Sequence, residues 1–188
     1  MRSLRPATIL LTTIVVALHA GPAAAGSEQH CVAQLVPLET SGDVVSAVAV
    51  DAGCYATYAD ALAAGSDGAI SVGPETTPAS LSDGELEASS QSVAATVLIG
   101  TEWTGAGYTS ASKSYFASVT CSSTVTWEVG YVTDAWNDDF ESGKGFGGCD
   151  ANRKFEHSQF GGSSILCTPN CSSYGTLSDE VSSLRWRH

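Results

Sequence analysis

The sequence predicts a mainly β protein: a β-sandwich made from two related units, preceded by a small acidic α+β or partly disordered segment. Three observations predict it. From Val97 onward, short β-branched and aromatic runs are broken by Gly and Ser every several residues, and no apolar helical period lasts three turns. Trp103, Tyr108 and Ser112 reappear 52 positions on as Phe155, Phe160 and Ser164. Six cysteines, an even count, follow a leader of the export type, which favours disulfides over metal thiolates.

The N-terminus reads as a secretory signal over residues 1–25. Arg2 and Arg5 precede an uncharged apolar stretch from Ala7 to Leu18, and Ala23-Ala24-Ala25 supplies the small residues that signal peptidase cuts. About a dozen apolar residues are too few to cross a hydrocarbon core, which needs roughly 20. The mature protein is therefore expected to be secreted and monomeric. From Gly26 to Ala95 there are ten acidic residues and no Lys or Arg; from Thr96 to His188 there are ten acidic and six basic. Against a net charge of −12 for the whole chain, the mature form carries −14, because the signal removes two arginines. Such a surface repels nucleic acid and anionic membrane, so neither is an expected partner.

Residues 26–95 form an acidic accessory or pro-segment. "CVAQLVPL" and "VVSAVAV" have the character of short strands. "TYADALAAG" reads as a helix started near Thr57 and stopped by Gly65. Beyond Gly73 the chain turns to Pro, Thr, Ser, Gly and acid, a linker with "PASLSDGELEASS" as a short helix. About 70 residues with so few large apolar side chains make a marginal core alone. Among the fifteen pairings that six cysteines allow, the order along the chain suggests Cys31–Cys54, Cys121–Cys149 and Cys167–Cys171.

Residues 97–188 form the β domain. Its two copies read "WTGAGYTSAS" and "FEHSQFGGSS", and each leads to an acidic turn, "WNDDFESGK" or "LSDEVSSLR", with about ten extra residues in the first copy. Units too small to bury a sheet separately would pair over one core. This pattern resembles the βγ-crystallin family, whose signature is an aromatic, six residues, Gly, any residue, Ser. Phe155, Gly162 and Ser164 fulfil it; in the first copy Ser110 stands at the glycine position. The chain as a whole resembles a group of secreted actinobacterial proteins. The family resemblance implies a double Greek-key sandwich in which the aromatic folds over the hairpin, Gly takes a positive φ and Ser pins the fold-over.

The same resemblance implies calcium at the loops that end each key. Family members carry there an Asn/Asp pair, two variable residues, Ser/Thr and Ser. The first loop keeps Asn137, Asp138 and Ser142 around Asp139 and Phe140 but has Glu141 in the Ser/Thr place. The second keeps Asp179, Ser182 and Ser183 around Glu180 but has Ser178 in the first place. Calcium takes six to eight hard oxygens, so sites one ligand short are expected to bind weakly. The competing reading is that both loops are tight turns capped by Asp and Ser.

Other chemistry finds little purchase. Gly143, Gly145 and Gly148 spell a nucleotide-type glycine pattern without the strand-then-helix context it needs. No nucleophile elbow or zinc-helix motif is present, and His157, the one histidine within the repeat, has no catalytic partners nearby in sequence, so the protein is expected not to be an enzyme. Two binding alternatives remain. A disulfide-stiffened loop, Cys121–Cys149 or Cys167–Cys171, is suited to an extracellular protease cleft, as in metalloproteinase inhibitors of this fold. Tyr108, Trp127 and Trp136 are suited to a polysaccharide platform, although core packing is the commoner use of such aromatics.

Overall fold

The computed structural model describes residues 29–74, 76–82, 84, 86 and 96–188. Residues 1–25, expected as a signal, and residues 83, 85 and 87–90 of the "PASLSDGELEASS" segment lie outside the described residues. In chain order come β1 (His30–Ser41), β2 (Val44–Tyr55), α1 (Tyr58–Gly65), β3 (Val97–Gly105), β4 (Thr109–Ala117) and β5 (Thr126–Val129). Then follow β6 (Ser142–Gly145), β7 (Ala151–His157), β8 (Gly161–Cys167), β9 (Asn170–Cys171) and β10 (Ser183–Arg187).

All ten strands belong to one sheet, in the order β8-β7-β10-β5-β2-β1-β4-β3-β6-β9. Its logic is the internal repeat. One half, β4-β3-β6-β9, and the other, β8-β7-β10-β5, contain equivalent strands, and each unit sends its third strand, β5 or β9, into the other unit's half. That exchange is the double Greek key. Neither unit completes a sheet without the other, so a single core lies between them. It is built from Ile99 and Tyr115 on one side and Trp127, Val129, Leu184 and Trp186 on the other, all nearly inaccessible to water.

The separation of residues 26–95 from the β domain is not what the strands do. The β1–β2 hairpin sits between β4 and β5 at the middle of the sheet: β1 runs parallel to β4 (His30↔Ser112 to Gln34↔Phe116), and β2 runs parallel to β5 (Val44↔Thr126 to Ala47↔Val129). The physical reason is the marginal core already noted. The hairpin has too few large apolar side chains to bury alone, and two open strand edges supply both hydrogen bonds and cover. Lys113 of β4, fully buried, reaches Asp51 of β2 at 2.7 Å and ties the hairpin electrostatically as well.

The helix forms where the sequence places it. Thr57 caps α1 by accepting from the Asp60 N–H through its hydroxyl (3.1 Å), and the helix buries Tyr58, Ala61 and Leu62. These pack with Val32, Leu98, Trp103, Phe116 and Phe146 in a second cluster. Ile70, just after the helix, joins it, as do Leu81 and Leu86 of the stretch read as linker, and Lys144 clamps that stretch by donating to Ala79 O (2.7 Å) and Leu81 O (3.1 Å). Three disulfides form, Cys31–Cys54, Cys121–Cys149 and Cys167–Cys171, the pairs that chain order suggests, and no cysteine is free. Among the described residues no helix is long and apolar enough to cross a membrane.

Candidate functional site

The two loops that end the keys are positioned by a set of contacts made twice. Trp103 meets Tyr108 edge-on at 5.4 Å between ring centroids, and Phe155 meets Phe160 at 5.5 Å, both at 70°. The fold-over of each hairpin needs positive φ at equivalent places: Tyr108 (66°) and Ser110 (67°), Phe160 (64°) and Gly162 (73°). Ser110 therefore adopts the glycine conformation despite its Cβ, at a cost of order 1 kcal/mol or more.

The serines expected to pin this fold-over do something else. Ser112 is buried against His30 Nδ1 (2.9 Å), and Ser164 accepts from Arg153 Nη1 (2.9 Å). The pin comes from the last serine of each acidic loop. Ser142 Oγ donates to Gly105 O (2.6 Å) and accepts from Tyr108 N (3.1 Å); Ser183 Oγ donates to His157 O (2.7 Å) and accepts from Phe160 N (3.0 Å). Ser142 is thus buried and committed to the hairpin rather than turned toward the loop oxygens. Fixing the loop to the hairpin through one hydroxyl explains why the two motifs travel together in each copy.

The loops then interlock with each other. Asp138 donates its N–H to Val181 O (3.2 Å) and Asp179 donates its N–H to Phe140 O (3.1 Å), with φ of 60° and 59°. Asp tolerates this left-handed backbone better than most residues. Phe140 and Val181, one in each loop, are fully buried beneath the crossing. On the first side, Asn137 Nδ2 donates to Asp138 Oδ2 (2.6 Å) and Ser182 Oγ from the second loop donates to Asp138 Oδ1 (3.3 Å). Asn137 Oδ1 is buried with no hydrogen-bond partner, and among the described residues it is the one such atom in these loops. On the second side the same relationship sets Ser178, Asp179 and Glu141 in the places of Asn137, Asp138 and Ser182. Asp139, Asp179 and Glu180 are exposed. Structure thus brings Asn137, Asp138 and Ser182 together. Among the described residues, no three His, Cys, Asp or Glu side chains form a metal cluster; an oxygen site here rests on amide, hydroxyl and carboxylate together.

Sequence reasoning missed a buried charge network on the axis between the repeats. Glu102 and Lys154 are equivalent positions, each just before the aromatic that opens its copy, and they pair across the core with both side chains inaccessible. Tyr174 donates to the other Glu102 oxygen. Burial pushes the Glu102 carboxyl up and the Lys154 ammonium down, each partly offset by the other, and burial with the Glu102 charge holds the Tyr174 phenol well above its usual range. Gly143 makes room: a Cβ there would lie 2.0 Å from the Tyr174 hydroxyl and 2.3 Å from Glu102. The detectable signal was an acid before one repeated aromatic and a base before the other. The glycine pattern at 143–148 is accounted for likewise, as strand β6 followed by a turn in which Gly147 and Gly148 have positive φ.

No family model matches the chain, and no curated protein matches it. Solved structures do. The solved structures it is similar to are βγ-crystallin domains. One from an archaeon is 19% identical, with a TM-score of 0.35 over 48% of this chain and 98% of its own. One from Ciona intestinalis is 17% identical, with a TM-score of 0.34 over 45% and 94%. A βγ-crystallin domain from Flavobacterium johnsoniae is 21% identical, with a TM-score of 0.32 over 47% and 92%. Of the three aromatics suited to a platform, Trp127 is fully buried, Trp136 is 9% exposed and Tyr108 is half-buried.

Proposed function

We propose that this chain is an exported, non-enzymatic β module that holds one calcium ion at its interlocked loops. The observation that carries the reading is Asn137 Oδ1, a buried acceptor without a donor, beside the Asp138 carboxylate and the Ser182 hydroxyl. An unsatisfied buried polar atom costs about 1–3 kcal/mol, and a hard cation removes that cost while neutralising the adjacent carboxylate. Asn137, Asp138 and Ser182 would hold the ion, with loop carbonyls and water completing an oxygen shell. Bound there, calcium would cross-link the two units. The second side, with Glu141 and Ser178 in the hydroxyl and amide places, is the weaker of the two. Three disulfides and the absence of catalytic constellations support an extracellular binding or structural role over an enzymatic one.

Melting curves of the mature protein in chelator, millimolar calcium and millimolar magnesium test this. With a dissociation constant on the order of 10⁻⁴ to 10⁻³ M, ten times that concentration adds roughly 1.4 kcal/mol, a rise of several degrees. Magnesium should do less, because it demands stricter geometry and sheds water reluctantly. Asp138→Ala should abolish the calcium effect and Asp179→Ala should leave most of it. Three superimposed wild-type curves would make the loops turns and nothing more.

A further inference from the structure

The two units of the repeat are equivalent, but their outer edges are not equally occupied. β4 is covered by β1 in parallel register, beginning with Ser112 N donating to Gln29 O (2.9 Å). Its equivalent, β8, ends the sheet and, among the described residues, has a strand partner only on its β7 side. Ser164 and Leu166 of β8 correspond to Ser112 and Ser114 of β4. We propose that the free edge of β8 is a strand-docking site for a partner's single extended segment, with small or β-branched apolar side chains and a carboxylate at one end.

The chemistry of the occupant follows from three features. First, the equivalent edge shows what fits: His30–Gln34, an extended run with small or β-branched side chains at Val32 and Ala33. Second, the connection limits it to one strand. Thr168 and Pro169 alone separate β8 from β9, and Cys167–Cys171 staples them, whereas eight residues separate β4 from β5 and leave room for a hairpin. Third, charge selects the carboxylate. Lys113, Lys144 and Lys154 are buried, so the outward cations among the described residues are Arg153, Arg185 and Arg187. Only Arg153, on β7, lies beside β8: it is opposite Leu166 and donates to Ser164 Oγ (2.9 Å), whereas Arg185 and Arg187 stand one strand further away on β10 and Arg185 is paired with Glu128. The occupied edge is likewise tied by a carboxylate, since the hairpin brings Asp51 to Lys113. β8 also lacks the usual edge defences, having no Pro, Lys or other charge between Gly161 and Cys167, with Leu166 40% exposed. A second copy of the chain fits less well, because two chains of net charge −12 repel.

Titration of the ¹⁵N-labelled mature protein with the peptide Ac-SVAQLE-NH2, followed by amide NMR shifts, tests the proposal. Shifts confined to residues 163–168 and the facing part of β7 are expected, saturating at a dissociation constant on the order of millimolar. The lysine-ended peptide Ac-SVAQLK-NH2 should bind about fivefold more weakly or worse. Leu166→Glu, with its melting temperature checked against wild type, should weaken the glutamate-ended peptide about tenfold by placing a like charge on the edge. Absent or scattered shifts, shifts at β4 and β5 from displacement of the hairpin, or undiminished binding to Leu166→Glu would each overturn it. So would a dimer in sedimentation that Leu166→Glu dissociates, which would assign the edge to a second copy.

Discussion

The first unit is open and the second is closed. Both fold their aromatic over the hairpin with the same geometry and pin it with the same serine, but the first carries six more residues between its second and third strands, eight against two. That insertion spreads β4 from β5, admits the β1–β2 hairpin between them, and is tethered to the Gly-rich turn by Cys121–Cys149. In the second unit two residues and a bridge of sequence separation 4 close the same gap. One architecture thus takes two edge treatments, decided by a loop length rather than by the sheet. A loop six residues longer costs little entropy, while the hairpin it admits gains paired edges on both sides.

The largest effect expected from breaking the symmetry lies on its axis. Glu102→Ala should cost about 3–5 kcal/mol in urea denaturation, because it strands the Lys154 ammonium in the core. The exchange Glu102→Lys with Lys154→Glu should recover much of that loss, since the positions are equivalent; a double mutant no better than the single would show that the axis is not interchangeable. Next come the staples that distinguish the units. Loop-closure entropy gives about 3.6 kcal/mol for Cys121–Cys149, with a separation of 28, and about 1.9 kcal/mol for Cys167–Cys171, with a separation of 4. Paired Cys→Ala variants compared by denaturant midpoint should keep that order, and a reversal would mean that the clip also holds β8 in place for other reasons.

Two smaller substitutions test the fold-over itself. Gly162→Ser should cost roughly 1–2 kcal/mol, because its φ is 73° and a Cβ would sit 2.9 Å from Glu156. The converse, Ser110→Gly, should stabilise by about 0.5–1 kcal/mol through relief of a positive φ. Thermal melts that moved both variants in the same direction would break the equivalence of these positions.

Much of this molecule was legible in the chain. The spacing of Trp103, Tyr108 and Ser112 against Phe155, Phe160 and Ser164 announced the repeat, and Thr57 with Gly65 bounded α1, because such signals are local. The place of the hairpin was not legible. "CVAQLVPL" says strand, but nothing within it says which edge it meets, since parallel pairing is a long-range contact without a turn to mark it. The loop at Asn137–Ser142 was legible as oxygen-rich. That its last serine turns inward to Tyr108 was not, because a hydroxyl's direction depends on which hairpin folds over it. Glu102 and Lys154 stand 52 residues apart with no local signal joining them, and only the packing of one copy on the other sets them face to face.

The central hairpin also dictates an order of events. His30 meets Ser112 and Val44 meets Thr126, so both parallel joints close loops of 82 residues. Such contacts raise the contact order and slow folding, because the entropy of closure is lost before the pairing returns anything. The two Greek keys, whose hairpins are short-range, can assemble first. The hairpin is synthesised before every strand it needs, and it docks after them. Until it does, β4 and β5 present bare edges, and the interval before docking is when this chain is most exposed to pairing with the wrong strand.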